Sequence, residues 1–172
     1  NNYSIKNLPY WIEGNVPGLN LRNIQDSNNQ YQLQLEIHED YILKIQSGQT
    51  LTIKKSGNKT SGINIKGILE IETGGKLVLD YGGSISCNTG LSAKINNKGT
   101  LKIRGSINDT DRGIIYLNDA SVLDNQSGGL LELSGHGKVL CDNGTIENRA
   151  NTLIHCVASV ISDGTYRYDS NS

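Results

Sequence analysis

Four segments of this chain repeat one pattern: Ile42-Leu-Lys-Ile45, Ile68-Leu-Glu-Ile71, Thr100-Leu-Lys-Ile103 and Leu130-Leu-Glu-Leu133, beginning 26, 32 and 30 residues apart. In three of them a second short apolar strand starts eight residues after the second residue: Leu51-Thr-Ile53, Leu77-Val-Leu79 and Val139-Leu-Cys141. A Gly-bearing turn lies between the two strands each time: Ser47-Gly-Gln-Thr50, Thr73-Gly-Gly-Lys76 and Ser134-Gly-His-Gly-Lys138. Repetition on this period means stacked supersecondary units, each too small to bury its own apolar face and each closed by its neighbours.

The remaining copy departs from the pattern in one place. Its second strand is expected at Asp109 and reappears six residues late, at Ile115-Tyr-Leu117. One six-residue insertion accounts for both that lag and the 32-residue spacing. A degenerate fifth copy runs from Leu153 to Ile161. Within each copy the apolar residues alternate, which predicts strands with one buried face. No sustained 3.6-residue period occurs past residue 40. The intervening Gly, Asn, Asp and Ser supply the positive-φ corners that a tightly coiling chain needs.

These features predict an all-β fold, a parallel β-solenoid of about five coils. Leu43, Leu69, Leu101 and Leu131 are expected in one inward column, and Ile45, Ile71, Ile103 and Leu133 in its neighbour. A jelly roll or other β-sandwich is the alternative that fits the same strand spacing. The repeated x-Leu-x-Ile/Leu strands with Gly-rich corners resemble right-handed parallel β-helix domains of secreted bacterial proteins, such as adhesin passenger domains and pectin-lyase-like proteins. The resemblance covers roughly residues 40 to 165. It implies a secreted protein, extracellular or held at the cell surface.

Residues 1–36 carry no copy of the repeat and hold the single Trp, Trp11, and both prolines, Pro9 and Pro17. The first coil of a solenoid has bare strand edges and a bare core. This segment is therefore expected to be an N-terminal cap or an arm that docks on another subunit, and residues 37–172 the solenoid domain. At the other end, Tyr166 and Tyr168 share one face and are expected to cover the last coil, or to contact a sugar or a second subunit.

Sixteen Lys and Arg against 17 Asp and Glu give a net charge of −1. Without a basic excess, a nucleic-acid partner is not expected. No apolar run has the length of a membrane span. The chain opens Asn1-Asn2-Tyr3 with no Met and no signal peptide, which reads as a processed chain or a trimmed one, and a secreted origin fits either. Cys87, Cys141 and Cys156 are expected as buried thiols, with one disulfide or an intersubunit bridge as alternatives. Five Asn-x-Ser/Thr sequons, at Asn2, Asn58, Asn108, Asn125 and Asn143, fall in expected turns and are candidate glycosylation sites.

Signals for chemistry are sparse. The stretch Gly135-His-Gly-Lys138 lacks the first Gly and the Ser/Thr of a phosphate loop, and there is no G-x-S-x-G. The resemblance to β-helix hydrolases implies paired aspartates, yet no Asp-Asp occurs. The lyase version implies calcium with an Arg or Lys. Asp109 and Asp111, in the insertion and flanked by Arg104 and Arg112, are the pair that calcium would take. Tyr81 and Tyr116 join Tyr166 and Tyr168 as aromatics able to stack on a sugar ring. No catalytic residue is assigned and no cofactor is expected beyond calcium. The expected function is a non-catalytic extracellular structural protein that assembles with itself, head to tail or as a filament. The alternatives are an adhesin or polysaccharide-binding domain, then a polysaccharide lyase.

Overall fold

The computed structural model describes residues 3–4, 10–14, 21–25, 31–37, 39, 42–55, 61–87, 93–105, 113–154, 159–162 and 165–168. Three short strands come first: β1 (Tyr3–Ser4), β2 (Tyr10–Gly14) and β3 (Leu21–Gln25). The chain then repeats a three-strand unit. The first is β4 (Tyr31–Ile37), β5 (Ile42–Ile45) and β6 (Thr50–Lys55). The second is β7 (Ser61–Ile65), β8 (Ile68–Ile71) and β9 (Lys76–Leu79), and the third β10 (Gly83–Cys87), β11 (Lys94–Asn97) and β12 (Thr100–Arg104). Next come β13 (Ile114–Asn118), β14 (Val122–Asn125) and β15 (Leu130–Ser134), then β16 (Lys138–Asp142), β17 (Thr145–Asn148) and β18 (Asn151–Ile154). Finally come β19 (Ser159–Ser162) and β20 (Thr165–Tyr168).

Each strand pairs in parallel with its counterpart one coil away, so the chain winds around three walls. Wall A is β6-β9-β12-β15-β18, wall B is β4-β7-β10-β13-β16-β19, and wall C is β5-β8-β11-β14-β17-β20. This is a parallel β-solenoid, which makes about four turns between β5 and β17, where side chains are described. The period-2 pattern decides what each wall buries. In β8, Leu69 and Ile71 face the core and Ile68 and Glu70 do not; in β12, Leu101 and Ile103 face it. The core is a single cluster of Ile, Leu, Val, Ala and Cys drawn from all three walls. At the corner from wall C to wall A, Gly48, Gly74 and Gly128 adopt φ of +76°, +81° and +86°. That left-handed geometry is steeply unfavourable for most L-residues, so the corners need glycine.

The two expected leucine columns are not the ones that form. Leu43 lies beside Leu69 in wall C, but the next residues of that column are Ile95, Leu123 and Ile146. Leu101 and Leu131 belong to wall A, in a column with Leu51 and Leu77. Likewise Ile45 and Ile71 continue into Asn97 and Asn125, whereas Ile103 and Leu133 stack on Ile53 and Leu79. The cause is that walls C and A have the same in-out alternation and the same x-Leu-x-Ile wording. The motif reports which face is buried and not which wall carries it. Each copy also has three strands rather than two.

The insertion is where the sequence puts it. Residues 105–113 separate β12 from β13, nine in all, against the three, 135–137, that separate β15 from β16. It lengthens the step from Leu101 to Leu131 and leaves the step from Leu69 to Leu101 to the wall change.

The strands before the coils pair antiparallel. β2 lies on β6, β1 on β2, and β3 on β4. They extend the edges of walls A and B. Wall C ends on β5, which among the described strands pairs with β8 alone.

Candidate functional site

The same corner, from wall C to wall A, shows how this fold spends its polar residues. Asn97, Asn125 and Asn148 occupy the same inward position at the ends of β11, β14 and β17, and all three are buried. Asn97 Nδ2 donates to Asn125 Oδ1 at 2.7 Å, and Asn125 Nδ2 donates to Asn148 Oδ1 at 2.8 Å. The same amides also donate to the corner carbonyls of Leu130 and Asn151, at 3.0 and 3.2 Å. An amide placed every coil can act as both donor and acceptor along the axis, which a hydroxyl or carboxylate repeats less well. The ladder stops at Ile71, which offers no donor, and Asn97 Oδ1 is left buried without a partner.

The outer face of wall C carries charges in register. Lys44 Nζ lies 3.4 Å from Glu70 and 3.7 Å from Glu72, and Lys98 Nζ lies 3.6 Å from Glu70. Farther along, Arg149 Nε donates to Asp124 Oδ1 at 3.2 Å and its Nη2 donates to Asp124 Oδ2, while Gln126 Nε2 donates to Asp124 Oδ2 at 2.8 Å. Asp124 is only 8% exposed, so Arg149 matters more than a rim charge would. Arg149→Ala is expected to cost about 1–3 kcal/mol in chemical unfolding because the carboxylate keeps only Gln126. Lys44→Ala, at an exposed pair, is expected to cost less than about 1 kcal/mol.

The structure sorts the expected sites. Asp109, Asp111, Arg112, Cys156 and the sequons Asn2, Asn58 and Asn108 lie outside the described residues. The neck of the insertion is described: Gly113 N–H donates to Arg104 C=O at 2.6 Å, and Gly105 N–H to Ser134 C=O at 3.0 Å. A Cβ on Gly113 would stand 2.7 Å from Arg104 O, so only glycine fits the pinch. Asn143 is exposed in a corner, with φ of +57°. Asn125 does not behave as an expected turn sequon: it is fully buried and its amide nitrogen is committed to the ladder, so the folded chain withholds it from a glycan. Tyr166 and Tyr168 pair with Ile146 and Asn148, the two buried positions of β17. Tyr81 and Tyr116 are 49% and 40% exposed, Tyr81 at a corner and Tyr116 on wall B. Among the described residues, no three His, Cys, Asp or Glu side chains gather as a metal ion would need.

Cys87 and Cys141 are buried free thiols, with Leu117 between them in the wall B column. Two coil steps of about 4.8 Å separate them, beyond disulfide reach. Burial pushes the Cys87 thiol up to about 12. The unfolded thiol ionises near its usual value of 9.0 while the folded one stays protonated, so stability falls as pH rises from about 9 towards 12. The expected slope from this group is about 1.4 kcal/mol per pH unit. Cys87→Val should remove that component from the alkaline unfolding curve, and identical curves for the two proteins would contradict it.

No family model, no curated protein and no solved structure matches this chain. Sequence reasoning missed the asparagine ladder. The ladder has a readable trace, since Asn97, Asn125 and Asn148 each stand just before a corner.

Proposed function

We propose that this chain is a non-catalytic structural protein of the extracellular space or cell surface, which joins end to end with further copies of itself. The observation that carries the reading is the state of the ladder edges. β5 at one end, and β18, β19 and β20 at the other, each pair on one side only among the described strands. A strand edge is a row of open donors and acceptors that any strand of matching register can extend. The buried ladder and the cross-coil ion pairs of wall C support a stiff shaft rather than a mobile site. Sedimentation velocity over a concentration series is expected to show mass growing with concentration. A single-chain species throughout would overturn the reading.

A second reading, a carbohydrate-binding or adhesin domain, is favoured by Tyr116, exposed on wall B beside Ser86 of the neighbouring strand. Under that reading Tyr116→Ala weakens retention on a polysaccharide column roughly tenfold, because a stacked ring contributes about 1 kcal/mol or more. Under the first reading the variant elutes like the wild type.

A further inference from the structure

We infer that Asn143 carries an N-linked glycan, attached at the corner between walls B and C. The inference rests on the extracellular part of the reading above and not on self-association. Asn143-Gly-Thr145 is one of two complete sequons among the described residues, and the other is Asn125-Gln-Ser127. The fold treats the two asparagines in opposite ways.

Asn125 is fully buried, and its amide nitrogen donates to Asn148 Oδ1 at 2.8 Å and to Asn151 C=O at 3.2 Å. A sugar on that nitrogen would have to sit inside the core, so a chain modified there cannot close its coils. Asn143 is exposed, and among the described residues its side chain has no hydrogen-bond partner. Asn118, at the same corner one coil earlier, shows the contrast, since its amide is committed to Cys87 C=O at 2.9 Å.

The backbone fixes where Asn143 stands. Asp119 N–H donates to Asp142 C=O at 2.9 Å on one side of it, and Thr145 N–H to Ser121 C=O at 2.9 Å on the other. The inner side of the corner is closed, because a Cβ on Gly144 would lie 3.0 Å from Leu117 Cβ and 3.2 Å from Cys141 Sγ. Asn143 has φ of +57°, a left-handed conformation that asparagine adopts more readily than most residues. Thr145, half-buried at the start of β17, supplies the hydroxyl of the acceptor signal. A glycan here projects from a flank of the shaft and not from the ladder edges of β19 and β20, which lie one coil farther on.

The transfer takes a sugar activated as a glycosyl diphosphate, together with the transferase that uses it. Asn143 Nδ2 bonds to the anomeric carbon as the bond from that carbon to the diphosphate oxygen breaks. The diphosphate leaves with the bonding electrons, and the amide gives up one proton to a carboxylate of the transferase.

Peptide mapping by mass spectrometry tests the site on the full chain, expressed through a secretory route that performs N-glycosylation. Cleavage after Lys138 puts the two asparagines on separate peptides. The peptide with Asn143 is expected to gain the glycan mass, and the peptide with Asn125 to lack it. Thr145→Val, which leaves Asn143 in place, is expected to abolish the gain, and Thr145→Ser to retain it. A glycan on Asn125 in folded chain overturns the inference, as does one on Asn143 that survives Thr145→Val. A bare Asn143 in chain that reaches the medium also overturns it, and leaves the extracellular reading standing. Chain that carries the glycan on Asn143 yet is held in the cell supports the site and counts against that reading.

Discussion

Asn125→Ala is expected to lower the stability of this protein by about 1–3 kcal/mol. Truncation leaves Asn148 Oδ1 and the Asn151 carbonyl without their donor, and Asn97 Nδ2 keeps only Leu130. A buried acceptor deprived of its partner costs about 1–3 kcal/mol; Asn148 Oδ1 is such an acceptor, whereas Asn151 is exposed and water can replace its donor. Against a total of about 5–15 kcal/mol for a typical domain, this is a large share. The measurement is the urea midpoint at unchanged m-value. Asn96→Ala, one residue earlier on the same strand and facing outward, is the control and should change stability by less than about 0.5 kcal/mol. Equal shifts for the two variants would mean that the ladder contributes nothing beyond an ordinary surface amide.

Leu101→Ala is expected to cost about 2–5 kcal/mol, since the side chain is fully buried between the strands that carry Leu77 and Leu131. The coupling pattern is more telling than the size. In double-mutant cycles Leu101 should couple to Leu77 and Leu131 by about 0.5 kcal/mol or more, and stay additive with Leu69. Coupling to Leu69 instead would restore the single column that the repeated wording suggests, and would contradict the three-wall register.

That contrast shows how much of the fold the sequence carries. Which residues face inward is legible, because a period of two is written into every strand: Leu69 and Ile71, Leu101 and Ile103, Leu131 and Leu133 are all buried. The insertion after Arg104 is legible as well, as a fixed lag against the repeat. The wall to which a strand belongs is not. Thr100-Leu-Lys-Ile103 reads like Ile68-Leu-Glu-Ile71, yet pairs with Lys76–Leu79. Only corner lengths separate the two: β8 and β9 are four residues apart, at 72–75, and β11 and β12 only two, at 98–99. The polar core is hidden for a related reason. Asn97, Asn125 and Asn148 sit at inward positions that sequence reasoning assigns to Ile or Leu. An asparagine before a Gly-rich corner looks like turn chemistry, or at Asn125 like a glycan acceptor. Their meaning emerges only when the coils are stacked and each amide meets the next.

Electron microscopy of the purified chain at high concentration, without added ligand, tests end-to-end assembly most directly. The account predicts particles of one constant width whose length increases in whole-chain steps. It also predicts a strand repeat of about 4.8 Å along that length. Particles of single-chain size at every concentration would contradict it.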